Sequence, residues 1–232
     1  MFSLFIRRDG LINPPNLGST DFHCHILPDI DDGPKDERGS LAIATLLLEL
    51  GVNRICCTPH VISDLYPNTT EKIVARVNEF QKTLNDRGIP LELIPAAEYY
   101  AEPAFLDRIE KGDILCTGEK RYVLFESPAE HPPRFLKDII FALQTQGYTP
   151  LLAHVERYYF IQKDYKFAKE LKRLGVAFQV NHPSFLLPKT SQRGNCARWL
   201  YKKGFVDELG SDIHRAAGFP TVQSQSKVSA TL

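Results

Sequence analysis

Histidine and carboxylate residues recur in this chain at spacings that suit metal chemistry. Asp21-Phe22-His23-Cys24-His25 places two imidazoles two residues apart, and Asp212-Ile213-His214 repeats that spacing with a carboxylate. In an extended strand residues i and i+2 project to the same side, so each pair can present two ligands to one pocket. His60 follows Thr58-Pro59, Glu98 follows Ala96-Ala97, Glu126 follows Phe125, and His154 opens His-Val-Glu-Arg157. Imidazole and carboxylate donors together hold Zn²⁺, Fe²⁺ or Mn²⁺. A lone histidine at a strand end is commonly a hydrogen-bonded structural residue. Seven successive ends that each carry His, Asp or Glu ask for another explanation, and a shared metal site supplies it. His131, in Glu130-His131-Pro132-Pro133, reads as a solvated loop residue. His182, before Pro183, is open between the two readings. The pairs Tyr99-Tyr100 and Tyr158-Tyr159 read as wall or core.

The elements that must carry these residues follow one grammar. An apolar stripe of helical period ends in Gly plus an apolar residue, and a β-type run follows. The junctions are Gly51-Val52, Gly88-Ile89, Gly147-Tyr148, Gly175-Val176 and Gly204-Phe205. Glycine takes the left-handed cap, and the next apolar residue packs back on the last turn. Ile73, Val77, Phe80 and Leu84 share one helical face, as do Phe167, Leu171 and Leu174. Asn68 with Glu71 reads as a capping box. The β-type runs span 20–23, 54–58, 91–97, 122–126, 150–153, 177–181 and 206–209. Strand–helix alternation implies parallel pairing with right-handed crossovers. Seven such units predict one α/β barrel, with reactive residues gathered at the C-terminal ends of its strands. An open doubly wound sheet is the alternative, but no Gly-x-Gly-x-x-Gly loop follows any strand. The expected layout is an extended lead-in over 1–18, the barrel over 19–218 and a weakly ordered tail over 219–232.

Composition removes several classes of function. The 232 residues carry 28 basic and 28 acidic side chains, so the basic surplus of a general nucleic-acid binder is missing. No apolar run of about 18 residues predicts a membrane span. The first eight residues do not order themselves as a signal peptide. Five cysteines, two of them adjacent, do not suggest a disulfide framework, so a reducing, cytoplasmic setting is expected. No cysteine stands in a Cys-x5-Arg stretch, which leaves no thiolate nucleophile for a phosphatase of that type.

The segment Asp21-Phe-His-Cys-His-Ile-Leu-Pro-Asp-Ile-Asp-Asp-Gly-Pro34 resembles the opening signature of the PHP (polymerase and histidinol phosphatase) domain. It is similar in particular to the bacterial capsule and exopolysaccharide protein-tyrosine phosphatases of that superfamily. Thr58-Pro-His60, Ala97-Glu98-Tyr, Ala153-His-Val-Glu-Arg-Tyr158 and Gly210-Ser-Asp-Ile-His214 follow in the expected order, so the likeness runs from about 20 to 215. It implies a distorted seven-stranded (β/α)7 TIM-like barrel holding three divalent metals, manganese foremost, with iron, zinc, cobalt or magnesium as alternatives. Carried over by motif, one metal takes His23, His25, Glu98 and Asp212. A second shares Glu98 and adds Glu126 and His154. The third takes Asp32, His60 and His214, with Asp31 the other member of its acidic pair. Arg157 would clamp the phosphate. The stretch after His214 departs from the pattern: Phe219 stands near the place of the relatives' Arg, Arg215 is the substitute, and relatives run on into a C-terminal helix.

The implied activity is a manganese-dependent protein-tyrosine phosphatase. Its substrate would be a phosphotyrosyl protein, namely a membrane-associated bacterial tyrosine autokinase controlling polysaccharide export. Clustered cations bring the pKa of bound water toward about 7, so in-line attack on phosphorus by a bridging hydroxide is expected. His60 and His214 stand beside the reacting group, and Arg157 and Arg215 would bind the substrate. Two alternatives keep the site: a small-molecule phosphatase of histidinol-phosphatase type, and a catalytically impaired module that binds phosphotyrosine.

Overall fold

The computed structural model describes residues 15–220. The expected lead-in as far as 14 and the tail from 221 lie outside the described residues. Among the described residues the strands are β1 (Thr20–Cys24), β2 (Arg54–Cys57), β3 (His60–Val61), β4 (Glu92–Pro95), β5 (Glu98–Tyr100), β6 (Tyr122–Glu126), β7 (Thr149–Leu152), β8 (Ala177–Asn181) and β9 (Glu208–Gly210). Every ladder between them is parallel. Parallel neighbours need crossovers, and helices supply them. These are α1 (Glu37–Glu49), α2 (Thr70–Asp86), α3 (Pro103–Lys111), α4 (Leu136–Thr145), α5 (Tyr159–Lys163), α6 (Tyr165–Arg173) and α7 (Gln192–Lys202).

The strands form two sheets, ordered β1-β2-β4 and β3-β5-β6-β7-β8-β9. A parallel bridge between Cys24 and Ile213 ties the first sheet to the segment after β9. The seven expected strands are therefore nine, because two of them are each split. Pro59 has no N–H to give to a ladder, and it separates β2 from β3. The next run breaks in step: Ala96 donates to Cys57 O in one sheet, and Glu98 donates to Pro59 O in the other. Two expected strand ends, His60 and Glu98, become strand starts through this tear.

The Gly-apolar grammar holds at all five junctions. Gly51, Gly88, Gly147, Gly175 and Gly204 all have positive φ. The residue after each donates back to the last helical turn, as Val52 does to Leu47 O and Val176 to Leu171 O. The stripe Ile73, Val77, Phe80 and Leu84 is buried on α2. Leu174, by contrast, lies just past α6 and is 38% exposed. The cap of α2 is Thr69, whose hydroxyl accepts from Lys72 N, and not Asn68. Asn68 is drawn away by tertiary partners: its Nδ2 donates to Ile30 O and His60 O, tying two site loops together.

Two glycines let backbone crowd the site. A Cβ on Gly210 would lie 2.5 Å from His23 Cβ and 2.7 Å from Gln179 Nε2. One on Gly33 would lie 2.6 Å from His25 O. Both neighbours are packed and cannot swing aside. Gly210→Ala is therefore expected to cost about 1–3 kcal/mol of stability through overpacking and to displace the His23 ring. Thermal unfolding together with metal content of the purified variant checks this. An unchanged melting temperature with full metal would show that the strand yields freely.

Candidate metal centre

Three histidine rings are aimed by what holds their far nitrogens. His25 Nδ1 donates to Asp31 Oδ2 at 2.7 Å, since a carboxylate can only accept. His23 Nδ1 meets Gln179 Oε1 at 3.0 Å. That oxygen also accepts the backbone N–H of His154, so it is the oxygen and His23 must donate. His214 Nδ1 donates to the carbonyl of Asp212 at 3.1 Å. Each ring thus points its Nε2 inward, the nitrogen a metal would take once its proton is given up.

The inward nitrogens converge on carboxylates. His23 Nε2 and His25 Nε2 stand 3.1 Å apart. Glu98 Oε2 lies 3.1 and 3.3 Å from them, and Asp212 Oδ1 lies 3.5 and 3.6 Å away. With both nitrogens free of protons, as a shared metal requires, they make no hydrogen bond to each other. Donors spaced this way suit one ion at about 2.0–2.2 Å from each. Glu98 Oε2, His60 Nδ1 and Asp32 Oδ1 are buried without a hydrogen-bond partner among the described residues. The donor set and its unpaired atoms fit divalent cations.

Three groupings overlap: His23, His25 and Asp212; His60, Glu98 and Glu126; and His25, Asp32, His60 and His214. His154 Nε2 joins the second, 2.9 Å from Glu98 Oε1 and 3.6 Å from Glu126 Oε2. His60 bridges, with Nδ1 3.2 Å from Glu98 and Nε2 3.6 Å from Asp32. All nine residues expected as ligands thus come together, with His25 and His60 also reaching neighbouring groupings. Asp31 is the orienting partner of His25 and also accepts His60 N–H.

Local backbone and charge reflect the crowding. His154 and Asp212 both take left-handed φ, +31° and +52°, which non-glycine residues adopt only when over-determined by their surroundings. Asp21 supplies part of that surrounding: its Oδ1 accepts both His23 N and Ser211 N. Burial pushes the Asp21 carboxyl up to about 6. Burial alone would lower His23, but the Glu98 and Asp212 carboxylates outweigh it and hold it up to about 9. His25 is likewise raised against its burial, by Asp31 and Glu98. The His214 imidazole, with Nε2 3.2 Å from Asp32 Oδ1, is the main cause that brings the Asp32 carboxyl down to about 2.

Seven of the nine, all but the fully buried His23 and His25, line an open cavity of about 750 Å³. Arg157 and Arg215 line it too, Arg157 with Nη1 donating to Asp212 Oδ2 at 2.9 Å. Phe219 sits on its rim. His182 is buried in the turn His182–Leu186 and does not line the cavity, and His131 is exposed on its loop. Gln179, Asn181 and Arg193 are site residues that motif reading passes over. The first two carry a signal of a kind, being polar at alternate positions of an otherwise apolar strand.

Comparisons with known proteins agree with this geometry. Residues 19–227 match the family described as capsular polysaccharide synthesis, CpsB/CapC. Tyrosine-protein phosphatase YwqE of Bacillus subtilis is 31% identical over 194 residues, 84% of this chain and 76% of that protein. Tyrosine-protein phosphatase CpsB of Streptococcus pneumoniae is 28% identical over 211 residues, 89% of this chain and 87% of that protein. A solved structure from work on YwqE of Bacillus subtilis and CpsB of Streptococcus pneumoniae, described as unique metal-dependent tyrosine phosphatases, superposes with a TM-score of 0.81. It is 27% identical and covers 91% of this chain and 85% of that one.

Two outcomes are expected. Asp31→Ala removes the acceptor that fixes His25, so affinity for Mn²⁺ should fall about 10–100-fold by calorimetric titration; unchanged affinity would refute the orienting role. In protein stripped of metal, His23 holds its proton to about 9, above the unfolded value of 6.5. Its contribution to stability is therefore complete below about 6.5 and lost as pH rises through 9. A metal needs the same lone pair, so affinity should rise with pH across that window and binding should release protons. Titrations in buffers of differing ionisation enthalpy measure the release.

Proposed function

The chain belongs to the capsular polysaccharide synthesis CpsB/CapC family, and from that membership and the site we propose that it is a metal-dependent protein-tyrosine phosphatase of bacterial capsule or exopolysaccharide synthesis. The observation that carries this reading is the convergence of five imidazoles and four carboxylates at the floor of an open cavity, which three of those imidazoles and all four carboxylates line beside Arg157. A closed structural site needs four ligands and no cavity. The proposed domain spans 19–218, with the two sheets forming a distorted (β/α)7 barrel in which each split pair counts as one stave.

His23, His25, Glu98 and Asp212 would hold one ion; Glu98, Glu126 and His154 a second; Asp32, His60 and His214 a third. Three manganese ions are the proposed complement. When bound, such ions supply Lewis acidity toward phosphoryl oxygens and bring water to ionise near neutral pH. The protein's part is aim and charge. Asp31, Gln179 and the Asp212 carbonyl keep the rings turned inward. Arg157 leans on Asp212 through Nη1 and offers the rest of its planar fork to the phosphoryl group. Exposed Arg215 adds a second cation at the rim. His60 and His214 line the cavity beside the expected place of the departing tyrosyl oxygen, where their part would be to hold the third ion. A phenol with pKa near 10 leaves with little help.

No thiolate is called for. Burial pushes Cys56 and Cys196 up to about 12 and Cys24 and Cys57 well above the ordinary thiol value. The proposed substrate is a phosphotyrosyl segment of a membrane-associated tyrosine kinase, met in the cytoplasm. Among the described residues no helix is long and apolar enough to cross a membrane.

Chelation is expected to abolish hydrolysis of a phenyl phosphate, with Mn²⁺ restoring it; full activity after verified metal removal would end the proposal. His154→Ala should lose roughly 100-fold or more of turnover, whereas Cys57→Ser should keep most of it. Steady-state kinetics on a phosphotyrosyl peptide beside histidinol phosphate reads the substrate class. A decisive preference for the small phosphate would move the assignment to the small-molecule alternative.

A further inference from the structure

Arg193 lines the same cavity as Arg157 but enters it from α7. Its Nε–H donates to Ser184 Oγ at 2.8 Å. The Ser184 hydroxyl in turn donates to Glu156 Oε1 at 2.6 Å. That carboxylate oxygen also accepts Asn181 N–H at 3.2 Å and lies 3.8 Å from Arg193 Nε. Glu156 is 0% exposed, and its Oε2 has no hydrogen-bond partner among the described residues. Burying a carboxylate so incompletely paired is costly, and an apolar side chain of similar volume would stabilise the fold at least as well.

The relay does something that an apolar residue would not. Ser184 engages Arg193 only through Nε, so the terminal Nη groups keep no protein partner among the described residues. The side chain remains 38% exposed. Arg157 differs, because it gives Nη1 to Asp212. Both cations depend on one turn, Val155–Arg157: Glu156 points inward to the relay and Arg157 points to Asp212. Asn181 links the two sides, with its N–H on Glu156 and its Nδ2 on Asp212 Oδ2 at 2.6 Å.

We propose that Arg193 is a further oxyanion-binding residue of this cavity, held in place by Glu156 and Ser184 as positioning residues. It deepens the phosphatase reading and rests on the cavity being the substrate site. The group it takes is an oxyanion of the substrate, either a phosphoryl oxygen or a carboxylate beside the phosphotyrosine. Planar terminal N–H groups suit both.

The test uses the full metal-loaded chain. Binding of inorganic phosphate is read by calorimetry, and KM is read on phosphotyrosyl peptides flanked by Glu or by Ala. If the phosphoryl group is the partner, Arg193→Ala weakens phosphate binding and raises KM on both peptides roughly tenfold or more. If a carboxylate is the partner, phosphate binding holds and KM rises only on the Glu-flanked peptide. In either case kcat moves far less than KM, Arg193→Lys recovers part of the loss, and Ser184→Ala shows a smaller loss of the same kind. Unchanged phosphate binding and unchanged KM on the Glu-flanked peptide would overturn the proposal, even if the melting temperature fell. Should Arg193→Ala fail to fold, Arg193→Lys is judged by the same two readings, and wild-type values in both overturn it. Wild-type protein that binds phosphate but hydrolyses neither peptide would refute the phosphatase reading while leaving the phosphate reading of Arg193 intact.

Discussion

Two buried imidazole nitrogens, 3.1 Å apart and facing each other, set the terms for the whole structure. Their far sides are committed to Gln179 and Asp31, so neither ring can turn away. The space between them and Glu98 needs positive charge. Protons could supply it, and the raised position of His23 shows the carboxylates favouring that form. Two protonated rings at this separation would repel by roughly 5 kcal/mol at an effective dielectric of 20. A single divalent cation meets the same need without that repulsion. The close approach of Gly210, the clamp by Asp21 and the left-handed backbone of His154 and Asp212 all keep this geometry from relaxing.

Charge at the site cannot be read from net charge. Equal numbers of basic and acidic residues average to zero over the chain. The acids Asp32, Glu98, Glu126 and Asp212 are nevertheless concentrated in one cavity, and the cations beside it are arginines. Bound divalent ions would reverse the sign of the centre toward an anion. The arginines then act at the rim of a positive field, where their planar geometry orients a phosphoryl group more than it attracts one.

Much of this was legible in the chain because it is local. Gly-apolar junctions mark helix ends, since glycine's left-handed conformation and the returning apolar residue lie side by side in sequence. The i, i+2 histidines mark a strand face for the same reason. What stayed hidden depends on distant partners. Pro59 splits a strand at the point where β1 ends and Cys24 bridges to Ile213. Asn68 forsakes the helix cap because Ile30 and His60 carbonyls are waiting. Asp31 and Asp32 are chemically alike and adjacent, and only the fold gives one to His25 and turns the other toward His214. Arg193 and Glu156 are 37 residues apart with no motif between them (193 − 156 = 37).

The bridge between Cys24 and Ile213 has a consequence for how the protein comes into being. It joins the first strand to the chain just past the last, and the site straddles the seam. His23 and His25 are made early, whereas Asp212 and His214 come about 190 residues later (212 − 23 = 189). At about 5–20 residues per second, synthesis of that interval takes roughly 10 to 40 s. Throughout that time the nascent chain carries paired histidines with half their partners unmade. The complete centre therefore cannot exist before the segment after β9 is made, and it acts as a clasp between the start of the fold and its end.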